Sequence, residues 1–422
     1  MQRPTRVLKS LQYGRFRCLG ADCEDTCCDG WAVTVDRPAY ERFQQCSDPA
    51  WRSSFEKFVT VNAEPAEHSY ATIQLSGTTC PFLSEGLCSV HQRFGEEFLP
   101  VTCASFPRVW NVVDQTLEQS LDPGCPEAAR LVLLDPGRAV FEEADLERRD
   151  FSEARLASVE TAAGGHSKPY RHFGAVRKFV IGLLQNRALP LAKRVQILSF
   201  FCEKLQEAAA GGAERQIPEL VQGYEAAVNG GLFDQVLNQL SAIPAARLET
   251  VLELIVSRIT SDFTNKRFLE TYKTFMEGIE WTSHSTMEEI AARQANAYAR
   301  YYAPFLERHG YMLEHYLVNY VYRGLFPFGP QESTDGLRKQ NIQRSIQESF
   351  LLLAVYFAVI QTLLAGLAGF HKDAFGPPHV IQVVYTFTRT FEHSLAFPTR
   401  MMEILKARGW DNAMGAAVLV NG

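Results

Sequence analysis

The chain is 422 residues long, with 42 Lys and Arg against 48 Asp and Glu and a formal net charge of −6. With 46% hydrophobic and 21% charged residues it has the balance of a globular protein of two or three domains, which excludes a disordered chain. The acidic total lacks the basic footprint of a nucleic-acid binder, so no nucleic-acid partner is expected.

The first ten residues carry charge but no apolar run and no small-residue cleavage site. No signal peptide is therefore expected, and the compartment is read as the cytoplasm. Nine of the ten cysteines fall in the first 125 residues. In a reducing compartment such a cluster reads as metal-binding or redox-active rather than as disulfides. Cys18-x4-Cys23-x3-Cys27-Cys28 lies on Gly- and Asp-rich turns, Cys80-x7-Cys88-x14-Cys103 follows, and Cys125 precedes Pro126. Turns let side chains a few residues apart converge, and soft thiolates suit iron–sulfur clusters and zinc. Zinc sites often use two separate C-x2–4-C pairs, but the pairs here overlap, and Cys80 and Cys88 are too far apart for a second one. Only His68 and His91 precede residue 126, so an all-thiolate site is expected. A 4Fe–4S cluster is favoured, with zinc as the alternative. Cys46 and Cys202 read as small buried hydrophobes.

Short strands are expected at Trp31–Asp36 and Ala71–Ser76, and a hairpin at Arg108–Val113 and Thr116–Leu121 about Asp114-Gln115. Short helices are expected at Pro38–Phe43 and from Pro126 through Leu134. Residues 1–134 thus form a small, irregular, Cys-rich α+β metal-binding region that needs its metal to fold. Residues 135–168, with Pro-Gly, charge-rich and Gly164-Gly165 stretches, read as a connection holding at most short helices. Helices follow at about 170–187, 191–209, 217–228, 232–241, 245–278, 285–325, 337–369, 380–395 and 398–405, the two longest with breaks. The fold class is therefore mainly α, with residues 169–422 as a large all-α domain. Ser349–Phe370 is uncharged and long enough to span a bilayer, but it contains Gln361 and Thr362 and has no companion span. It is expected to be a central helix buried on all sides, with no membrane partner.

Several motifs carry a specific resemblance. The pair C-x4-C-x3-C-C-x2-W, ending at Trp31, and CPFL-x2-GLC followed by C-x-SFPR resembles the cysteine-cluster family described as zinc- or iron-chelating. With CPEAARL (125–131), LVNYVYRGLFPFG (317–329), AGFHK (368–372) and FTRTFEHS (387–394), the chain resembles the flagellin lysine-N-methylase family from about residue 13 to 405. The resemblance implies methyl transfer from S-adenosylmethionine to lysines of flagellin as protein partner, in the bacterial cytoplasm, with an essential iron–sulfur cluster. Its candidate ligands are Cys18, Cys23, Cys27, Cys28, Cys80, Cys88, Cys103 and Cys125. Eight thiols exceed the four of one cluster, so either two centres or some non-ligand cysteines are implied.

An amine attacks a sulfonium methyl group only when neutral, so a lysine of pKa about 10.4 must be desolvated or deprotonated. Aromatic and carboxylate groups suit the cations involved. Tyr320, Arg323, Arg389 and Glu392 are the candidate catalytic residues on these grounds. Tyr320 and Tyr322 point to different helix faces, Asn319 and Arg323 share one, and Arg389 and His393 are four apart. Arg323 or Arg389 could hold the donor carboxylate bidentately. No G-x-G-x-x-G loop follows a strand, so a Rossmann-type methyltransferase is not expected and no donor-binding residue is identified. The helical half is expected to form the donor and peptide cleft. The competing class is a non-enzymatic zinc- or iron-binding, redox-sensing module.

Overall fold

A computed structural model describes residues 4–29, 33–145, 152, 155–162, 169–237, 243–260, 265–334, 338, 341–342 and 344–421. Trp31 and Gly164-Gly165 lie outside them. The protein is mainly helical, with its strands concentrated toward the N-terminus.

Asp36 starts the helix Arg37–Gln44 by accepting the Ala39 amide at 3.0 Å, the satisfied N-cap that its place before Arg37-Pro38 allows. This helix and Pro49–Phe58 cover a three-stranded antiparallel sheet with Ser69–Ile73 between Val33–Val35 and Val59–Ala66. Val35, Phe43, Phe55, Ile73 and Phe82 form a small core of their own, with the Phe43 and Phe55 rings stacked at 4.2 Å. Cys46 is buried in it, as a small hydrophobe.

The expected hairpin forms in full register, Arg108 opposite Leu121 and Val113 opposite Thr116. Its turn residue Asp114 takes a φ of 54°, a left-handed conformation that a short polar side chain tolerates. The hairpin is the centre of a second, six-stranded sheet. Arg6–Ser10 runs parallel to Thr116–Leu121, and Phe141–Ala144 closes that side. On the other side Leu156–Val159 runs parallel to Arg108–Val113, and Glu332–Ser333 forms the edge. Two expectations are corrected here. The segment read as a connection with at most short helices supplies two strands, and the segment read as all-α supplies an edge strand. Both join pre-existing strands far away in sequence, which no local pattern encodes.

The helical body is built around Ile346–His371. Ser345 and Glu348 cap its start reciprocally, so it begins nine residues later than expected. Every residue from Phe350 to Ala368 is buried, so the stretch long and apolar enough to cross a membrane is enclosed by protein. Gly278, ending the helix Lys266–Gly278, meets Gly366 so closely that a Cβ there would overlap the Gly366 carbonyl. The two longest expected helices are broken, the first between Ile259 and Lys266 and the second by a π turn at Tyr298–Tyr302 and again at Gly310. The segment expected at 380–395 is helical, Pro377–Phe387 running into a second π turn at Thr388–Glu392. Such turns insert a residue and shift the side chains beyond them around the axis.

Candidate functional site

Four separate segments bring the eight candidate thiols to one cavity of about 560 Å³. Cys18, Cys23, Cys27 and Cys28 come from the N-terminal loop. Cys80 precedes and Cys88 ends the short hairpin Leu83–Ser84 and Leu87–Cys88, Cys103 comes from the helix Val101–Ser105, and Cys125 is the N-cap of Pro126–Leu133. The Cys80 amide donates to the Cys28 carbonyl at 2.8 Å, which joins the first loop to the hairpin. Cys46 and Cys202 are buried in the two hydrophobic cores and do not line the cavity. Burial pushes the Cys23, Cys88 and Cys103 thiols up, and it carries Cys125 to about 12. A hydrogen bond with Cys27 lowers Cys28, but the bond with Cys80 and burial outweigh it and push Cys28 up to about 12. Among the described residues no three His, Cys, Asp or Glu side chains stand at metal-holding distances from one another. The donor set nonetheless suits a soft metal centre, because the cavity concentrates thiols and His91 is its single imidazole among the described residues.

Arg389 lines the same cavity from the second π turn. Its Nη1 donates to Asp25 Oδ2 at 2.9 Å and to the Thr26 carbonyl at 2.8 Å, and its Nε donates to the Gly124 carbonyl at 2.6 Å. It thereby ties the first cysteine loop and the Cys125 turn to the C-terminal part of the chain. Nη2 is buried with no hydrogen-bond partner among the described residues. The Tyr385 ring lies 5.5 Å from the guanidinium carbon.

The other three candidate catalytic residues, Tyr320, Arg323 and Glu392, line a second cavity of about 80 Å³. The π turn explains the separation, since it sends Arg389 toward the thiols and Glu392 toward the helix Tyr311–Arg323. Arg323 pairs with Glu392 and donates to Asp122 Oδ2 at 3.2 Å. Glu392 accepts further bonds from Tyr316 at 2.8 Å and Thr388 at 3.0 Å. Asp122 also meets His393 Nε2 at 3.0 Å and accepts the Gly124 amide at 2.8 Å. Burial alone would raise the Asp122 pKa, but His393 and Arg323 beside it hold the carboxyl well below the usual range. Burial alone would likewise lower the Arg323 pKa, and Glu392 and Asp122 reverse that. The turn Asp122–Cys125 thus stands between the cavities, one end on Arg323 and the other on Arg389 and the thiols.

Asn319 shares the Arg323 face and donates to the Leu121 carbonyl at 3.1 Å. Tyr322 is structural: its hydroxyl bonds the Leu8 carbonyl at 3.0 Å, and its ring stacks on Phe141 at 3.9 Å. Sequence reasoning missed Asp122, Asp25, Arg338 and Arg344. Asp122 had one signal, its place three residues before a candidate ligand. Arg338 and Arg344 had none, since both fall in the start of the helix expected at 337–369, which in the structure begins only at Ile346.

Residues 177–419, more than half of the chain, match the family model of the FliB lysine N-methylase C-terminal domain. The matched part holds Arg389 and the second cavity's Tyr320, Arg323 and Glu392, whereas the eight thiols precede it. The lysine-N-methylase of Salmonella typhimurium is 30% identical over 145 residues, 34% of this chain and 36% of that protein. The flagellar biosynthetic protein FliU of Salmonella muenchen is 29% identical over 153 residues, 34% of this chain and 90% of that protein. The aligned part thus spans about a third of the length of the lysine-N-methylase relative. No solved structure matches the chain. On the strength of the domain match, the chain belongs to the FliB lysine N-methylase family.

Proposed function

We propose that the protein transfers methyl groups from S-adenosylmethionine to lysine side chains of flagellin in the bacterial cytoplasm, with an iron–sulfur cluster held in the thiol-lined cavity. The observation that carries this reading is the cavity itself. Eight thiols from four segments and one guanidinium from the family domain share a space within the roughly 300–1,000 Å³ range of small-molecule sites. The ligands would be drawn from Cys18, Cys23, Cys27, Cys28, Cys80, Cys88, Cys103 and Cys125, and a bound cluster would supply a redox-active, Lewis-acidic centre. Arg389 orders the Asp25–Thr26 segment that lines that space, and its Nη2 is buried without a hydrogen-bond partner among the described residues.

In the transfer, the lysine Nζ lone pair forms the new bond to the methyl carbon. The carbon–sulfur bond breaks with its electron pair passing to sulfur, and a proton leaves the resulting ammonium. Tyr320, Arg323 and Glu392 act from the adjacent cavity to hold the donor in place. Arg323 pairs with Glu392, and Glu392 also accepts from Tyr316 and Thr388, so neither Arg323 nor Glu392 is free as the base that deprotonates lysine.

The test is anaerobic purification with iron, sulfide and visible-absorption analysis, followed by incubation with labelled donor and flagellin. Brown protein that labels flagellin lysines is expected. Cluster-loaded protein that incorporates no label would overturn the reading. A second reading, a metal-binding module without transfer, is favoured by the thiols' position before the matched domain. It predicts a colourless zinc protein that binds no donor.

A further inference from the structure

Asp122 belongs to neither set of candidate residues, yet its buried side chain holds both. One carboxylate oxygen, Oδ1, accepts the Gly124 amide at 2.8 Å. The other, Oδ2, accepts from Arg323 Nη1 at 3.2 Å and meets His393 Nε2 at 3.0 Å. The Asp122 amide donates to the Pro107 carbonyl at 2.7 Å, which anchors the start of the turn. Pro123 follows, with a φ set by its ring and no amide to hold. The Gly124 carbonyl accepts from Arg389 Nε at 2.6 Å, and the Cys125 amide donates to the Asp122 carbonyl at 3.4 Å. Cys125 then begins the helix Pro126–Leu133 and lines the thiol cavity. Space at Gly124 is equally restricted. A Cβ there would stand 3.0 Å from Asp122 Oδ1, 3.1 Å from His393 Cε1 and 3.4 Å from Thr388 Cγ2. Thr388 opens the second π turn and His393 follows it, so the cysteine turn is seated on that π turn. From the same π turn Arg389 lines the thiol cavity, and Glu392 pairs with Arg323 in the second cavity.

We infer that Asp122 is a positioning residue, which sets the place of Cys125 in the thiol cavity and ties that place to the Arg323–Glu392 pair of the second cavity. The carboxylate divides its two oxygens between these partners. Whatever draws Arg323 away from Asp122 therefore alters the hold on Gly124, and a shift of Gly124 moves the adjacent Cys125. The close packing of Gly124 against Thr388 and His393 leaves little slack to absorb such a shift. Reciprocity requires the converse: a metal that pulls on the Cys125 sulfur changes binding in the second cavity by the same free energy. The positioning rests on these contacts alone. That it sets a metal ligand rests on the proposed function, and the test separates the two.

The test measures iodoacetamide alkylation of full-length, metal-free protein under anaerobic conditions, read by mass spectrometry of tryptic peptides. The peptide Val109–Arg130 holds Cys125 as its one cysteine, and Phe94–Arg108 holds Cys103, a reference thiol in the same cavity. Asp122→Asn keeps an acceptor for the Gly124 amide and sets an uncharged amide against Arg323 and His393. It should speed Cys125 alkylation about 10- to 100-fold, the loss of one charge-assisted hydrogen bond, and leave Cys103 unchanged. A merely structural role would speed both. Glu392→Gln acts from the far side, since the hydrogen bonds of Glu392 among the described residues go to neither the turn nor a thiol. It should change the Cys125 rate about 2- to 10-fold in otherwise wild-type protein and have no effect in Asp122→Asn. If Asp122→Asn does not fold, as thermal melting reports, the Glu392→Gln rate decides alone. Added zinc or ferrous iron should slow Cys125 in wild type and slow it less in Asp122→Asn. If neither metal protects Cys125, it is not a ligand and the proposed cluster loses it, while the positioning stands on the metal-free rates. The inference is overturned if Cys125 and Cys103 accelerate alike in folded Asp122→Asn, or if Glu392→Gln leaves Cys125 unchanged.

Discussion

Replacing Arg389 by Gln tests whether a single buried guanidinium holds the cysteine loop against the helical body. The Arg389 side chain is 1% exposed and its Asp25 partner 10% exposed, so solvent cannot replace what is lost. Removing the cation strands a buried carboxylate, which costs about 3–5 kcal/mol. It also removes charge-assisted bonds to the Thr26 and Gly124 carbonyls, each about 1.5–3 kcal/mol. These contributions share one side chain and do not add, and the new amide can refill one carbonyl. The expected loss is therefore about 4 kcal/mol, a large part of the roughly 5–15 kcal/mol that holds a typical domain folded. Urea unfolding followed by circular dichroism measures it. Thiol-labelling rates at Cys23 and Cys27 report the loop separately and should rise at urea concentrations where the helices are intact. A loss below about 1 kcal/mol with unchanged labelling would show that Arg389 is not the clamp, and the reasoning would fail.

Gly278→Ala should destabilise the protein by about 3 kcal/mol in the same unfolding assay, because its Cβ meets the Gly366 backbone, while Gly223→Ala, in open space on the helix Ile217–Asn229, should stabilise it by about 0.5–1 kcal/mol. Stability should also fall as pH drops through and below about 6.5. Burial lowers the pKa of both His371 and His379, whose rings lie 3.9 Å apart, and His379 Nδ1 accepts the Gly376 amide at 3.0 Å. The folded state binds fewer protons than the unfolded one there, so the stability present above the unfolded pKa is lost as pH falls through the folded values. His371→Asn should flatten the melting temperature between pH 7.5 and 5.5, and an unchanged slope would refute the assignment. Iron content measured after anaerobic purification should fall in Cys27→Ala and stay unchanged in Cys202→Ala, since Cys202 is buried among Phe201, Leu205 and their neighbours.

The convergence of the eight thiols on one cavity was legible because cysteine spacing on Gly- and Asp-rich turns is a local signal, and the two cysteines read as bystanders, Cys46 and Cys202, are buried and do not line that cavity. The hairpin at Asp114-Gln115 was legible from its local alternation and turn, whereas the start of the central helix falls nine residues after the expected one. Phe141–Ala144, Leu156–Val159 and Glu332–Ser333 were not, since their short runs show no clear alternation and pair with strands far off in sequence. The Arg323–Asp122 contact joins residues 201 apart. The split of Arg389 from Glu392 depends on a π turn, which adds a residue without any sequence mark.

The enclosed helix Ile346–His371 also has a consequence in time. Among its described neighbours are the helices Pro377–Phe387 and Ala413–Val420, which leave the ribosome after it. At about 5–20 residues per second, this uncharged, bilayer-length segment waits on the order of 2–10 s for its last cover. During that interval the nascent chain presents the same signal as a membrane protein. Its fate depends on how quickly the earlier helices, Leu191–Ala210 and Lys266–Gly278, wrap it before a targeting factor or a chaperone does.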